Sequence, residues 1–100
     1  MERQCSPRLD ADTILAAVPA CIVREQEDRY LVYNPATDEM HLVPRTGYFV
    51  LGLCDGTRPI HQIEAELSAK IAAEPRRVQP RLRAFLSRMI ARGILAVSHA

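Results

Sequence analysis

The sequence predicts an α+β fold, a three-stranded antiparallel sheet followed by three helices in the order β-β-β-α-α-α. Three observations predict it. Short segments rich in β-branched and aromatic residues, separated by turn chemistry, occupy residues 21–43. Pro44, which cannot donate to a ladder, stands where they end. Beyond it, apolar residues recur at helical spacings of three and four.

The first strand is Cys21-Ile22-Val23-Arg24, followed by a charged turn over residues 25–29. Tyr30-Leu31-Val32-Tyr33 is the second. Asn34-Pro35-Ala36-Thr37-Asp38 then turns the chain, because Pro35 fixes φ and Asn34 and Asp38 can bond nearby backbone. The third strand is Glu39 to Val43, with Met40 and Leu42 on one face and His41 and Val43 on the other.

The first helix is predicted from Arg45 to Cys54, with Phe49, Val50, Leu53 and Cys54 on adjoining positions. Gly47 and Gly52 each weaken it by roughly 1 kcal/mol relative to Ala, and Gly56 suits a left-handed cap at its end. A second helix starts near Pro59 and carries the stripe Ile60, Ile63, Leu67 and Ile71. Residues 72–79 read as a loop. Pro80 suits the first turn of a third helix, which ends near Gly93 and carries Leu82, Phe85, Leu86 and Met89. The second and third helices have helix-turn-helix spacing. Residues 94–97 read as a short extended tail and residues 1–17 as an N-terminal arm, leaving 18–97 as the domain.

Composition narrows the function. With 48% hydrophobic and 25% charged residues, the chain has enough apolar material for one modest core and is not a disordered polymer. No apolar run approaches the roughly 20 residues that span a bilayer. Ile14 to Ala20 is preceded by Asp10 and Asp12 and broken by Pro19, so it is not read as a signal peptide. Cys5, Cys21 and Cys54 show no paired spacing, which fits a reducing, cytoplasmic setting without disulfides. There is no CxxC motif, and His41, His61 and His99 are far apart, so no metal site is expected.

Catalytic patterns are missing as well. The sequence holds no Gly-rich phosphate loop, GxSxG or HExxH. Cys54 beside His41 or His61 is a poor nucleophile, because an apolar helix face raises a thiol's pKa. The expectation is a binding protein with no cofactor. Two Phe, three Tyr and no Trp give no stacking platform for single-stranded nucleic acid.

Two features suit peptide binding. In a meander centred on Tyr30–Tyr33, the strand Glu39, Met40, His41, Leu42 and Val43 is an edge, and an extended peptide can add to its free N–H and C=O groups. On the third helix, Arg81, Ala84, Arg88 and Arg92 share one narrow stripe with Phe85 at its border. A groove floored by Phe85 and rimmed by these arginines would take apolar anchors flanked by Asp or Glu. The plainer alternatives are an edge covered by the protein's own helix and a solvated basic face. The charge distribution concentrates the basic excess late: residues 1–50 hold five Arg and eight Asp/Glu, residues 51–100 eight Lys/Arg and four Asp/Glu.

Four pieces of sequence together resemble the PqqD-like family of precursor-peptide recognition elements. They are Tyr30-Leu31-Val32-Tyr33-Asn34-Pro35 with His41-Leu42, Leu51-Gly52-Leu53-Cys54-Asp55-Gly56-Thr57-Arg58, Ile60-His61-Gln62-Ile63 with Leu67, and Phe85-Leu86 with Arg92-Gly93-Ile94-Leu95. The chain departs from the family in having Gly47 where Ala is common, and Pro44 and Pro59 where polar helix caps are common. The resemblance implies a winged-helix-like domain that binds the leader of a ribosomally made precursor peptide. The leader would add to the third strand and lie against the third helix, for a modifying enzyme, often a radical S-adenosylmethionine protein, to act on. The competing expectation is a winged-helix DNA-binding protein; the near-neutral net charge of +1 and strands placed before the helices weigh against nucleic acid. A loose arm exchanged between subunits leaves a homodimer open.

Overall fold

The computed structural model describes residues 9–98. Cys5, His99 and the first eight residues of the expected arm lie outside them. Six strands and three helices follow in the order β1 (Ile14–Ala17), β2 (Ile22–Gln26), β3 (Arg29–Asn34), β4 (Glu39–Pro44), α1 (Arg45–Leu53), β5 (Asp55–Pro59), α2 (Ile60–Ile71), α3 (Pro75–Ala91) and β6 (Leu95–Val97).

The α+β class holds, but the single-sheet, strands-then-helices order does not. Two three-stranded antiparallel sheets are present, β2-β3-β4 and β5-β1-β6, and β5 separates α1 from α2. The second sheet draws on three short segments that have no alternation of their own. Ile14–Ala17 was expected within the arm, yet it is the central strand, pairing Leu15 with Val97 and Ile14 with Pro59. Leu15 is fully buried and Leu95 nearly so, and this burial holds a strand that local propensity does not announce.

The first sheet is the predicted meander, each strand longer by one or two residues and β2 starting at Ile22, one residue later than expected. Gln26 pairs with Arg29, so the expected five-residue turn shrinks to Glu27-Asp28, with Glu27 at φ 55°. The alternation of β4 is as predicted: Val43 is buried and His41 nearly so, while Met40 and Leu42 face out.

Three helix details differ from expectation. First, α3 begins at Pro75, so residues 75–79 belong to it and Pro80 lies inside. Pro75 occupies the same favourable first-turn position predicted for Pro80. The missing Pro80 N–H leaves the carbonyl of Arg76 without its helical donor, but both residues are exposed and water can serve. Burial of Val78 in register with Leu82, Leu86 and Met89 carries the helix through.

Second, Gly56 is left-handed at φ 86° but does not cap α1. The cap is Cys54, and Gly56 sits in β5 where its register against β1 slips. Third, Pro44 and Pro59 do stand at the N-caps of α1 and α2, where neither offers a side-chain bond. For α2 the missing cap is replaced by backbone: the N–H groups of Ile60 and His61 donate to the carbonyls of Thr13 and Ala11, at 3.0 Å each. The lead-in to β1 therefore satisfies donors that a Ser or Asp would otherwise serve.

One core unites these layers, with Val32, Val43, Val50, Ile60, Ile63, Leu86 and Leu95 among its most buried members. Asn34 is the one buried polar residue among those described. Its Nδ2 donates to the carbonyls of Arg92 (3.0 Å) and Gly93 (3.2 Å), and its Oδ1 accepts from the Ala36 N–H at 2.9 Å. This side chain fastens the β3–β4 turn to the C-terminal end of α3. Gly93, at φ 74°, leaves room for it: a Cβ there would lie 2.5 Å from Asn34 Nδ2.

Candidate functional site

β4 is an edge strand, paired on one side with β3 alone. At its C-terminal end an open groove of about 730 Å³ runs between Pro44, the start of α1, the end of α2 and the first half of α3. Its apolar lining includes Val50, Leu67, Ile71, Val78, Leu82 and Phe85, with Arg77 and Arg81 on its wall. Ile71 is 45% exposed, unusual for a stripe residue whose three predecessors are buried, because it faces this opening.

Gly47 sets the groove's floor. A Cβ at this position would lie 2.9 Å from Val43 Cγ1 and 3.0 Å from Phe85 Cε1 and Cζ. The Phe85 ring therefore packs directly against α1 backbone. An alanine here would have to push aside either the ring or a stiff β-branched side chain. The rings of Tyr30 and Tyr48 stack at 3.8 Å and join β3 to α1.

The ten residues singled out from sequence divide into three groups. Glu39, Met40, His41, Leu42 and Val43 lie together on the β4 edge. Phe85 and Arg81 line the groove. Ala84 and Arg88 on α3, and Arg92 at its C-cap, are exposed but are not part of the groove lining. Arg77, Gly47, Leu67, Ile71 and Val78 are groove residues that sequence reasoning missed. Arg77 and Val78 were lost by starting the helix at Pro80. With the start at Pro75, Arg77 and Arg81 are an i, i+4 pair on one face, and the signal was legible.

The groove's charged lining is Glu74, Arg77 and Arg81, and Glu74 lies 3.7 Å from Arg76 outside it. Among the described residues, no carboxylate lies within 4.0 Å of Arg77, Arg81, Arg88 or Arg92, whereas Arg58 and Arg83 are paired. Arg83 also donates to the carbonyl of Leu9 at 2.8 Å, so it is a structural tie. The segment Asp55-Gly56-Thr57-Arg58 is structural too. Asp55 accepts from the Thr57 hydroxyl (2.5 Å), the Thr57 N–H and Arg58 Nη1 (2.7 Å). Thr57 first, then Arg58, hold its carboxyl below the usual range. Arg58 reaches on to Glu66 of α2 at 3.2 Å, clamping β5 to that helix.

Cys54 is buried, and burial together with the neighbouring Asp55 charge pushes its thiol up to about 12. It stays protonated at neutral pH, which removes it as a nucleophile. Among the described residues no cluster of His, Cys, Asp and Glu is placed to hold a metal ion, and no helix is long and apolar enough to cross a membrane.

Comparison with known proteins agrees with the sequence resemblance. The family model of PqqD, coenzyme PQQ synthesis protein D, matches residues 29–95, from the start of β3 to the first residue of β6. No curated protein and no solved structure matches the chain. The match spans the edge strand, all three helices and every groove residue, and covers well over half of the 100 residues. The chain belongs to the PqqD family.

Proposed function

We propose that this chain is an accessory, non-catalytic protein that binds the leader segment of a ribosomally made precursor peptide and presents it to a modifying enzyme, in the PqqD-like setting often a radical S-adenosylmethionine protein. The recognition domain is taken as residues 18–97 together with β1 (Ile14–Ala17), the central strand of its second sheet, in a winged-helix-like arrangement and a cytoplasmic setting. The leader adds as a strand along Glu39, Met40, His41, Leu42 and Val43. Its inward side chains enter the groove beside Phe85, and its carboxylates meet Arg81, with Arg88 and Arg92 further along α3.

One observation carries this reading: an unpaired strand edge runs directly into an open apolar groove with two arginines on its wall that have no acidic partner among the described residues. Strand addition supplies backbone bonds and the groove supplies side-chain selectivity, which together are what β-augmentation requires.

The test is a titration of the domain with a labelled peptide from a short open reading frame beside its gene. Saturable binding is expected, weakened by Phe85→Ala or Arg81→Glu, and by Leu42→Pro, which removes a donor from the free edge of β4. Absence of peptide binding together with salt-sensitive binding of duplex DNA would overturn the reading in favour of the DNA alternative. No contact described above favours that alternative.

A further inference from the structure

The pairing register fixes which backbone groups of β4 are free. The two-residue turn Glu27-Asp28 joins Gln26 to Arg29, and a hairpin of that length closes on a hydrogen-bonded pair. By alternation, Arg29, Leu31 and Tyr33 direct their N–H and C=O groups to β2. The residues between them direct theirs to β4, where they meet Val43, His41 and Glu39. What remains on the open edge is the N–H and C=O of Met40, the N–H and C=O of Leu42, and the carbonyl of Pro44. The place of Pro44 agrees with this parity. An N–H at that position would face the open edge, so the proline breaks no bond to β3.

The same count fixes the side chains. Met40 and Leu42, the two residues with both backbone groups free, point to the outer face of the sheet and are 61% and 55% exposed. His41 and Val43, bonded to β3, point inward. On the outer face Met40 ends the row of Ile22 and Tyr33, and Leu42 ends the row of Leu31. Such a face is commonly polar in an antiparallel sheet. Here two apolar side chains stand bare at the edge that lacks a partner. A strand added to β4 keeps its pleat in step whichever way it runs. Its residues opposite Met40 and Leu42 therefore share the outer face with them. Its residues opposite His41 and Val43 point inward, the latter beside the contact of Gly47 with Val43 and Phe85. The unpaired backbone thus identifies what covers Met40 and Leu42: side chains of the strand that fills the edge.

We propose that the leader is read on both faces of its strand: the groove takes its inward side chains, and Met40 with Leu42 selects two apolar leader residues, two apart, on the outward side. The inference rests on the peptide reading above and deepens it by giving the leader a pattern. Reading by the groove alone makes every second residue of the bound segment matter. Reading on both faces makes a consecutive run matter. Pro44 limits that run, because past Leu42 the strand offers a carbonyl and no donor. The leader leaves the ladder where the groove begins, since Pro44 is also part of the groove lining.

The full chain and the labelled peptide of the titration above test it. Met40→Thr and Leu42→Thr keep strand propensity, remove the apolar contact and leave the groove lining untouched. Together they are expected to weaken peptide binding roughly tenfold, through the loss of two cross-strand pairs. Urea unfolding checks that the double variant keeps its stability. Serine placed at each peptide position in turn should show a run of consecutive sensitive positions. In the complex, amide exchange slows at Met40 and Leu42 and is unchanged at His41, which is already paired with Val32. Wild-type affinity in the double variant while Phe85→Ala binds weakly, or sensitivity at every second position only, overturns this inference and leaves the groove reading standing. A wild-type chain that binds no peptide overturns both. Protection of the Met40 amide that rises with protein concentration in the absence of peptide places a second copy on the edge and also overturns the inference.

Discussion

Replacing Asn34 tests how the β3–β4 turn is held to α3. The side chain is 3% exposed and makes three hydrogen bonds, two as donor to the carbonyls of Arg92 and Gly93 and one as acceptor from Ala36. A net bond contributes about 1 kcal/mol, and stranded buried partners add desolvation cost, so Asn34→Ala should lose about 2–4 kcal/mol. That is a large share of the 5–15 kcal/mol typical of a small domain. Asn34→Asp is the sharper probe. An ionised carboxylate cannot donate, and it would face two carbonyl oxygens in a dry site. Its folded-state pKa is therefore raised above the ordinary value of about 3.9. A raised acid pKa means stability is retained at low pH and lost as pH rises through the acid's range. Urea unfolding followed by far-UV circular dichroism should show Asn34→Asp closest to wild type near pH 3.5 and furthest from it at pH 7. Asn34→Ala within about 0.5 kcal/mol of wild type, or a constant Asn34→Asp deficit across that range, would refute the account.

Other substitutions probe separate features. Gly47→Ala gains roughly 1 kcal/mol of helix propensity but overpacks Val43 and Phe85 at a cost of about 1–3 kcal/mol. It should therefore be no more stable than wild type in urea and should weaken peptide binding by displacing the ring; a variant more stable by about 1 kcal/mol would contradict the packing. Pro80→Ala restores a helical bond on an exposed face and should stabilise by about 1–2 kcal/mol, after subtracting the entropy that Pro removes from the unfolded chain. Cys54, with its thiol raised by burial to about 12, contributes stability that is complete below pH 9 and lost as pH rises from 9 toward 12. Its share of that loss is up to about 1.4 kcal/mol per pH unit, so Cys54→Ala should flatten the decline in denaturant stability over that window.

The parts of the fold written in local chemistry were legible. The meander follows from alternation in 21–43 and the proline after it, and the three helices follow from their stripes. The second sheet was not legible, because Ile14–Ala17, Asp55–Pro59 and Leu95–Val97 are short and pair over long sequence distances. Nothing in Asp-Gly-Thr-Arg-Pro announces a strand; it is one because Leu15 and its neighbours need a partner. For the site, the edge strand was visible because it is a property of strand order. The groove was only half visible. Phe85 and Arg81 lie on a periodic helix, but the Gly47 contact needs α1 brought against α3, and Arg77 needed the correct one of two prolines as the helix start.

The central position of β1 has a consequence for how the chain folds. β2, β3 and β4 are joined by short turns and can form from neighbouring residues, within a few microseconds for each hairpin. β1 must instead find β6, pairing residue 15 with residue 97 across nearly the whole chain. Closing so long a loop is entropically costly and slow to be repaid. During synthesis, the meander can be in place while Ile14–Ala17 waits for Leu95–Val97 to leave the ribosome. The last sheet to close is also the one whose lead-in, through Ala11 and Thr13, supplies the missing cap of α2. Locking of the helical half of the groove is thereby coupled to docking of β1 against β5, whose pairing places Thr13 and Ala11 over the start of α2.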